Sequence, residues 1–176
     1  MIYFGLVGSL VYWSFVLWSI AMNPWFSFWN NALSDLGAEK ANDPWIYNIG
    51  LIIASPFVIV FSYYLISISE NKMQAGGSLY MGISAIFLAL IGVFHGGTRY
   101  HSLVTKCFFI QFFLGAIIFG MSTIGCMRIA TLVIIILMVL GVFVVWPSVA
   151  MVETYYISLI MLFNIFVIMF LSKMNE

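Results

Sequence analysis

The feature that most constrains the fold is the recurrence of apolar runs, each about 20 residues long, along the whole chain. A helix of that length crosses the hydrocarbon core of a bilayer. Of the 176 residues, 64% are hydrophobic and 7% are charged, whereas a soluble domain carries roughly a quarter charged residues. This composition cannot cover a water-facing surface, so the sequence predicts an integral membrane protein.

The spans are predicted to be helices. Barrel strands would alternate in polarity over about 10 residues between turns, whereas these runs are apolar on every face. Short links make sequential helices antiparallel neighbours in one bundle. We therefore expect an all-α, polytopic membrane protein, a six-transmembrane-helix bundle that forms a single transmembrane domain over residues 1–176. The predicted spans are about 2–22, 45–68, 77–97, 104–126, 129–147 and 151–172.

The one long connection, residues 23–44, is predicted to lie along the membrane surface. It holds Trp25 and Trp29, and Trp45 follows directly; tryptophan favours the headgroup level. Within it, the sequence Leu-Ser-Asp-Leu-Gly predicts a short helical turn that Ser34 caps and Gly37 closes.

The distribution of charged residues does not predict a nucleic-acid partner, and it does not determine the orientation of the protein in the membrane. Acidic and basic residues number six each, so no basic face predicts nucleic-acid binding. The positive-inside rule finds three basic residues at each end of the bundle. If Arg99 belongs to a site rather than to this bias, both termini face the cytoplasm, and that is the orientation we expect for a multi-pass protein of the cell membrane. The two sets are Lys40, Arg99 and Lys106 at one end, and Lys72, Arg128 and Lys173 at the other.

Polar residues are concentrated at one end of the predicted bundle. Antiparallel helices bring the first, third and fifth loops to the same side, and ionisable groups near a membrane usually face the bundle interior or a wet cavity. A polar pocket at the outer end follows as a hypothesis. Its candidate residues are Asn31, Ser34, Asp35, His95, Arg99, Tyr100, His101, Gln111 and Glu153.

Two kinds of chemistry compete for this pocket. In the first, which is the leading hypothesis, the protein binds or remodels a lipid or amphiphile headgroup. Arg99 would hold the anionic group of that ligand, with Tyr100, Asn31, Ser34 and Gln111 beside it. His101 with Asp35 or Glu153 would then supply acid–base capacity.

In the second, a divalent metal binds His95, His101 and Asp35, a donor set that suits zinc. The two histidines are six residues apart, a spacing that does not place them on one helix face. The sequence therefore predicts no cofactor, while a divalent metal stays a possibility.

A non-enzymatic alternative stays open beside these. Arg99 could pair with Asp35 or Glu153 as a structural lock, in a small transporter or in the subunit of a membrane complex. Such a subunit would contact a membrane protein partner or a second copy of itself. A transporter predicts a cavity that reaches the midplane near Asn164 and Gln111.

Two features inside the spans have structural interpretations. Six small residues on one face of the third span predict close helix packing, and Asn164 predicts an interhelical hydrogen bond. The small residues are Ser78, Gly82, Ala85, Ala89, Gly92 and Gly96.

The chain resembles the prokaryotic membrane family catalogued as domain of unknown function 998. The resemblance rests on NPWFSFWNNALSDLG at 23–37, on WIYNIGLI at 45–52 and on GVF at 92–94. It implies six helices and a shared outer polar cluster, with His101 as the family's histidine, since the family commonly has a proline where this chain has His95. The chain is also distantly similar to the Frag1/DRAM/Sfk1 group through the Ser-Asp-x-Gly turn, and that likeness implies a connection with lipid or glycolipid handling.

Overall fold

Six long helices form the protein, and each is long and apolar enough to cross a membrane. The computed structural model describes residues 1–174, and this part of the chain contains helices and turns but no strand. The predicted all-α bundle of six membrane helices is confirmed. The helices are α1 (Phe4–Met22), α2 (Trp45–Ser67), α3 (Lys72–Val93), α4 (His101–Met121), α5 (Cys126–Phe143) and α6 (Val149–Met174), with a short 3-10 helix over Leu33–Gly37 between α1 and α2.

The bundle closes because the last helix returns to the first. Each helix packs on its successor, and α6 also contacts α1 and α4. Phe61, Phe112 and Phe163 are fully buried in the shared interior, whereas many large apolar side chains on the outside are exposed, as lipid-facing residues are. The cavity of the candidate site lies in the interior between α1, α2, α4 and α6.

The helix ends differ from the predicted span ends by up to five residues. The third span was predicted at 77–97, but α3 runs from Lys72 to Val93. It begins early because Asn71 accepts a hydrogen bond from the backbone N–H of Gln74 at 2.9 Å, which caps a polar first turn that hydropathy does not detect. It ends early because the chain leaves the helix at Phe94. In α4 the helix begins at His101, three residues before the predicted start.

Replacing Asn71 with alanine is expected to destabilise the protein by about 1 kcal/mol, since the Gln74 N–H then loses its acceptor. Asn71→Ser is the control, because a serine hydroxyl can accept the same hydrogen bond. Unfolding in mixed detergent micelles, followed by tryptophan fluorescence, measures both. Equal loss in the two variants would show that the cap is not the cause.

The small residues of α3 pack against α2, in agreement with the prediction. A Cβ at Gly82 would lie 2.6 Å from Ser62 Oγ, and one at Gly92 would collide with the carbonyl oxygen of Asn48. Gly96 lies beyond the helix end, and its Cα faces the backbone carbonyl of Ser34 instead. These glycines therefore set the distance between helices and between loops.

Residues 23–44, which we call the cover segment, fold over the end of the bundle. Leu33 and Leu36 are 0% exposed, so these two side chains enter the interior of the bundle. Asp35, not Ser34, caps the turn: its Oδ2 accepts from the backbone N–H of Ala32 at 2.9 Å. Since Asp35 occupies the third helical position, its carboxylate reaches back in the manner of a capping box.

The cover segment is tied to the start of α6. The backbone N–H of Ala150 donates to the carbonyl of Asn31 at 2.9 Å, and the Ser148 hydroxyl donates to the carbonyl of Phe28. These bonds join residues that are about 120 positions apart in sequence, as in the Ser148–Phe28 pair. They hold the cover segment across the mouth of the bundle.

Candidate functional site

An elongated cavity of about 70 Å³ runs inside the bundle, beneath the cover segment. Most of its lining is apolar, from α1, α2, α4 and α6 with contributions from α3. Within the described residues, no lysine or arginine lines it. The polar lining residues are Ser9, Tyr12, Ser34, Tyr47, His101, Thr105, Glu153 and Asn164.

The helices line the cavity with residues spaced four and three apart, which keeps them on one helical face. In α6 these residues are Glu153, Ile157, Ile160 and Asn164. Glu153 and Asn164 thus share a face and are separated by a rise of about 16 Å at about 1.5 Å per residue. In α2 the same spacing gives Tyr47, Leu51, Ala54, Val58 and Phe61.

The polar groups gather mostly at the end under the cover segment. Glu153 lies in the first turns of α6, and its Oε2 accepts from the backbone N–H of Leu33 at 2.7 Å. The hydroxyls of Tyr12 and Tyr47 are 3.4 Å apart, and both side chains are buried. Both tyrosines line the cavity together with Glu153. The half-buried carboxyl group of Glu153 and two buried phenols therefore line the same cavity.

His101 adds a ring nitrogen to this group. Its Nδ1 lies 2.8 Å from the carbonyl oxygen of Phe94, and since a carbonyl only accepts, Nδ1 carries a proton. In the neutral ring, Nε2 is then the nitrogen that can accept a hydrogen bond. The first position of α4 places this ring at the cavity.

The structure brings three of the predicted site residues together: Ser34, His101 and Glu153 line the same cavity. Asp35 does not line it. Its carboxylate caps Ala32 and lies 3.4 Å from Lys40 Nζ.

The arginine of the third loop lies outside the cavity. Arg99 is exposed and lies over the ring of Tyr100 at 5.6 Å, and Tyr100 in turn packs on Phe94. Among the side chains that the structure describes, the one ion pair is Lys40–Asp35. The predicted lock between Arg99 and Asp35 or Glu153 is therefore not formed in this part of the chain.

The two predicted amides have other surroundings. Asn31 Oδ1 accepts from the backbone N–H of Ser27 at 2.9 Å, so this side chain shapes the cover segment. Gln111 is half-buried outside the cavity lining, and its Oε1 has no hydrogen-bond partner.

The two histidines do not share a site. His95 Nδ1 lies 3.1 Å from the carbonyl of Gly96, and His95 lines a separate surface depression with Asp35, Glu39 and Lys40. Over residues 1–174, no group of three histidine, cysteine or acidic side chains is placed to hold a metal ion. The set of His95, His101 and Asp35 gains no support from the geometry.

Five polar residues of the cavity were not among the predicted site residues: Ser9, Tyr12, Tyr47, Thr105 and Asn164. Tyr12 and Tyr47 lie inside apolar spans, and the antiparallel topology could have placed them at the Glu153 end. Asn164 was predicted to make an interhelical hydrogen bond, but its Oδ1 is buried and has no hydrogen-bond partner.

Comparison with known proteins places the chain in one family. The model of the family described as protein of unknown function, DUF998, matches residues 6–172. No curated protein and no solved structure matches the chain. Because the family match extends from the first turn of α1 to the last turns of α6, the chain belongs to the DUF998 family.

Proposed function

We propose that this membrane protein binds a single-chain amphiphile inside the helix bundle. The supporting observation is the slender apolar cavity, in which most of the polar groups lie beneath the cover segment. Ligand sites are typically apolar with a few convergent polar groups that fix orientation. The polar group of the ligand lies beside Glu153 and His101, and its chain extends along the cavity toward Asn164.

The polar group of this ligand is uncharged or cationic. Glu153 is a carboxylic side chain that already accepts the N–H of Leu33, and no lysine or arginine lines the cavity in the described residues. An anionic group there would lie beside the Glu153 carboxyl with no lysine or arginine to neutralise it, which is costly in an apolar site. A hydroxyl or amine, by contrast, can donate to Glu153 or to the tyrosine oxygens. The anionic headgroup predicted from Arg99 is therefore not part of this proposal.

The cavity supports the binding part of the predicted function more than its catalytic part. His101 and Glu153 both line it and could move a proton. Asp35, the third predicted acid–base residue, is instead held by Ala32 and Lys40 outside the lining.

Filling the cavity tests the proposal. Val58 lines it, whereas Val60, two residues along α2 and also half-buried, does not. Val58→Trp is expected to weaken binding of a long-chain alcohol by about tenfold or more, because displacing two methylenes from an apolar site loses about 1.6 kcal/mol. Val60→Trp is expected to bind like the wild type.

The measurement is binding of a radiolabelled long-chain primary alcohol to purified protein in lipid nanodiscs, with native mass spectrometry of the co-purified molecules. Binding that is unaffected by Val58→Trp, or lowered equally by both substitutions, would contradict the proposal.

Transport of the same kind of molecule is a second candidate, and the depth of the cavity supports it. The lining reaches Asn164, past the midpoint of α6, as a carrier needs, although Gln111 does not take part. Transbilayer movement of a fluorescent single-chain amphiphile in proteoliposomes tests this. A rate equal to that of protein-free liposomes would leave binding without transport.

A further inference from the structure

We propose that the deep end of the cavity is a second polar subsite, which selects a chain that carries a hydroxyl about 16 Å from the polar group. This inference rests on the proposed function and names its ligand class: a long-chain amphiphile with polar groups at two positions, apolar between them. Asn164 and Ser9 form the subsite, and Glu153 marks the other position.

Asn164 supplies the main observation. The residue is 2% exposed and lines the cavity, and its Oδ1 has no hydrogen-bond partner in the described chain. A buried acceptor without a partner is rare in folded proteins. A donor on a bound molecule would satisfy it, and the cavity is where such a molecule can reach it.

The neighbours of Asn164 favour a hydroxyl as that donor. Ser9 Oγ, also in the lining, donates to the carbonyl of Gly5 at 3.1 Å, so its oxygen is left to accept. Gly5 has no side chain, and a Cβ there would lie 2.9 Å from Asn164 Oδ1; the glycine thus keeps space beside the amide. A hydroxyl both donates and accepts, so it serves either orientation of the amide.

The spacing of the two polar positions sets the ligand's length. Between Glu153 and Asn164, the lining face of α6 presents Ile157 and Ile160, which contact apolar chain. A rise of about 16 Å along α6 separates the two polar residues. The matching molecule has oxygens about this far apart when its chain is extended.

A pair of probes tests the inference: a long-chain primary alcohol and the α,ω-diol of equal chain length, whose oxygens are about 16 Å apart. Each is titrated into the wild-type protein and into Asn164→Leu in nanodiscs. The ratio of the two affinities is compared between proteins, so that differences in partition into lipid cancel. A site built to hydrogen-bond a hydroxyl discriminates strongly against the analogue that lacks it.

We expect the ratio of the diol affinity to the alcohol affinity to be about tenfold higher in the wild type than in Asn164→Leu. Undiminished alcohol binding in Asn164→Leu would show that the variant is folded. An equal ratio in the two proteins overturns the second subsite and makes water the partner of Asn164. The proposed function still stands in that case if alcohol binding depends on Val58. If the wild type binds neither probe, the proposed function and this inference both fail.

Discussion

Replacing Gly77 with valine is expected to lower the free energy of unfolding by about 3 kcal/mol, at the upper end of the cost of overpacking. Gly77 lies at a close approach of α3 to α4. A Cβ there would lie 2.5 Å from the backbone nitrogen of Phe119 and 2.7 Å from the carbonyl oxygen of Gly115. Both obstacles are backbone atoms, which cannot rotate away, so the two helices must separate. Unfolding by SDS in mixed micelles measures the loss.

The adjacent residue provides the matched control. A Cβ at Gly76 meets nothing within 4 Å, so Gly76→Val changes the same residue type in the same helix without a collision. Its stability is expected to equal or slightly exceed that of the wild type, since glycine is a poor helix former. Similar destabilisation by both substitutions would contradict close approach of α3 and α4 at Gly77.

The number and nature of the helices could be predicted because one physical quantity determines them. Each span needs about 20 apolar residues to cross the bilayer, and that requirement is readable in the sequence. Helix ends depend instead on single contacts. The bond from Gln74 N–H to Asn71 starts α3 in a polar stretch, and hydropathy contains no trace of it.

The candidate site was predictable in its location but not in its membership. Topology alone brings Ser34, His101 and Glu153 to one end of the bundle. It does not distinguish them from Asp35 and Arg99, which lie one or two residues from a lining residue yet outside the cavity. Asp35 lies in the 3-10 helix and Arg99 in the turn before α4, so the direction of each side chain depends on local backbone conformation, which hydropathy does not determine.

The lining stripes illustrate the same difficulty. The spacing of Tyr47, Leu51 and Ala54 is visible in the sequence, but α2 is apolar on every face, so an inner stripe resembles an outer one. In such a helix, the few polar residues are the ones that indicate which face is turned toward the interior. Tyr12 and Asn164 both lie in apolar spans, and both line the cavity.

Glu153 connects the cavity to the cover segment. The predicted structural lock paired this carboxylate with Arg99, but its partner is a backbone group of the cover segment. The carboxylate is not paired with Arg99; it accepts the backbone N–H of Leu33, a residue that is 0% exposed. Loss of that acceptor would leave a buried N–H without a partner. The hydrogen bonds from Ala150 and Ser148 would remain, so the effect should be local opening rather than global unfolding.

Glu153→Ala is therefore expected to accelerate amide hydrogen exchange over residues 32–38 by about 10- to 100-fold, because a buried N–H left without an acceptor costs about 1–3 kcal/mol. Hydrogen-exchange mass spectrometry of the protein in nanodiscs measures this. Glu153→Gln keeps a carbonyl acceptor and should retain most of the protection. Ser158→Ala, at an exposed position of the same helix, should leave the cover segment unchanged. If Glu153→Gln exchanged as fast as Glu153→Ala, the charge rather than the bond to Leu33 would hold the cover segment. If neither variant exchanged faster than the wild type, the carboxyl group of Glu153 would not hold the cover segment, and its role would be in ligand binding alone.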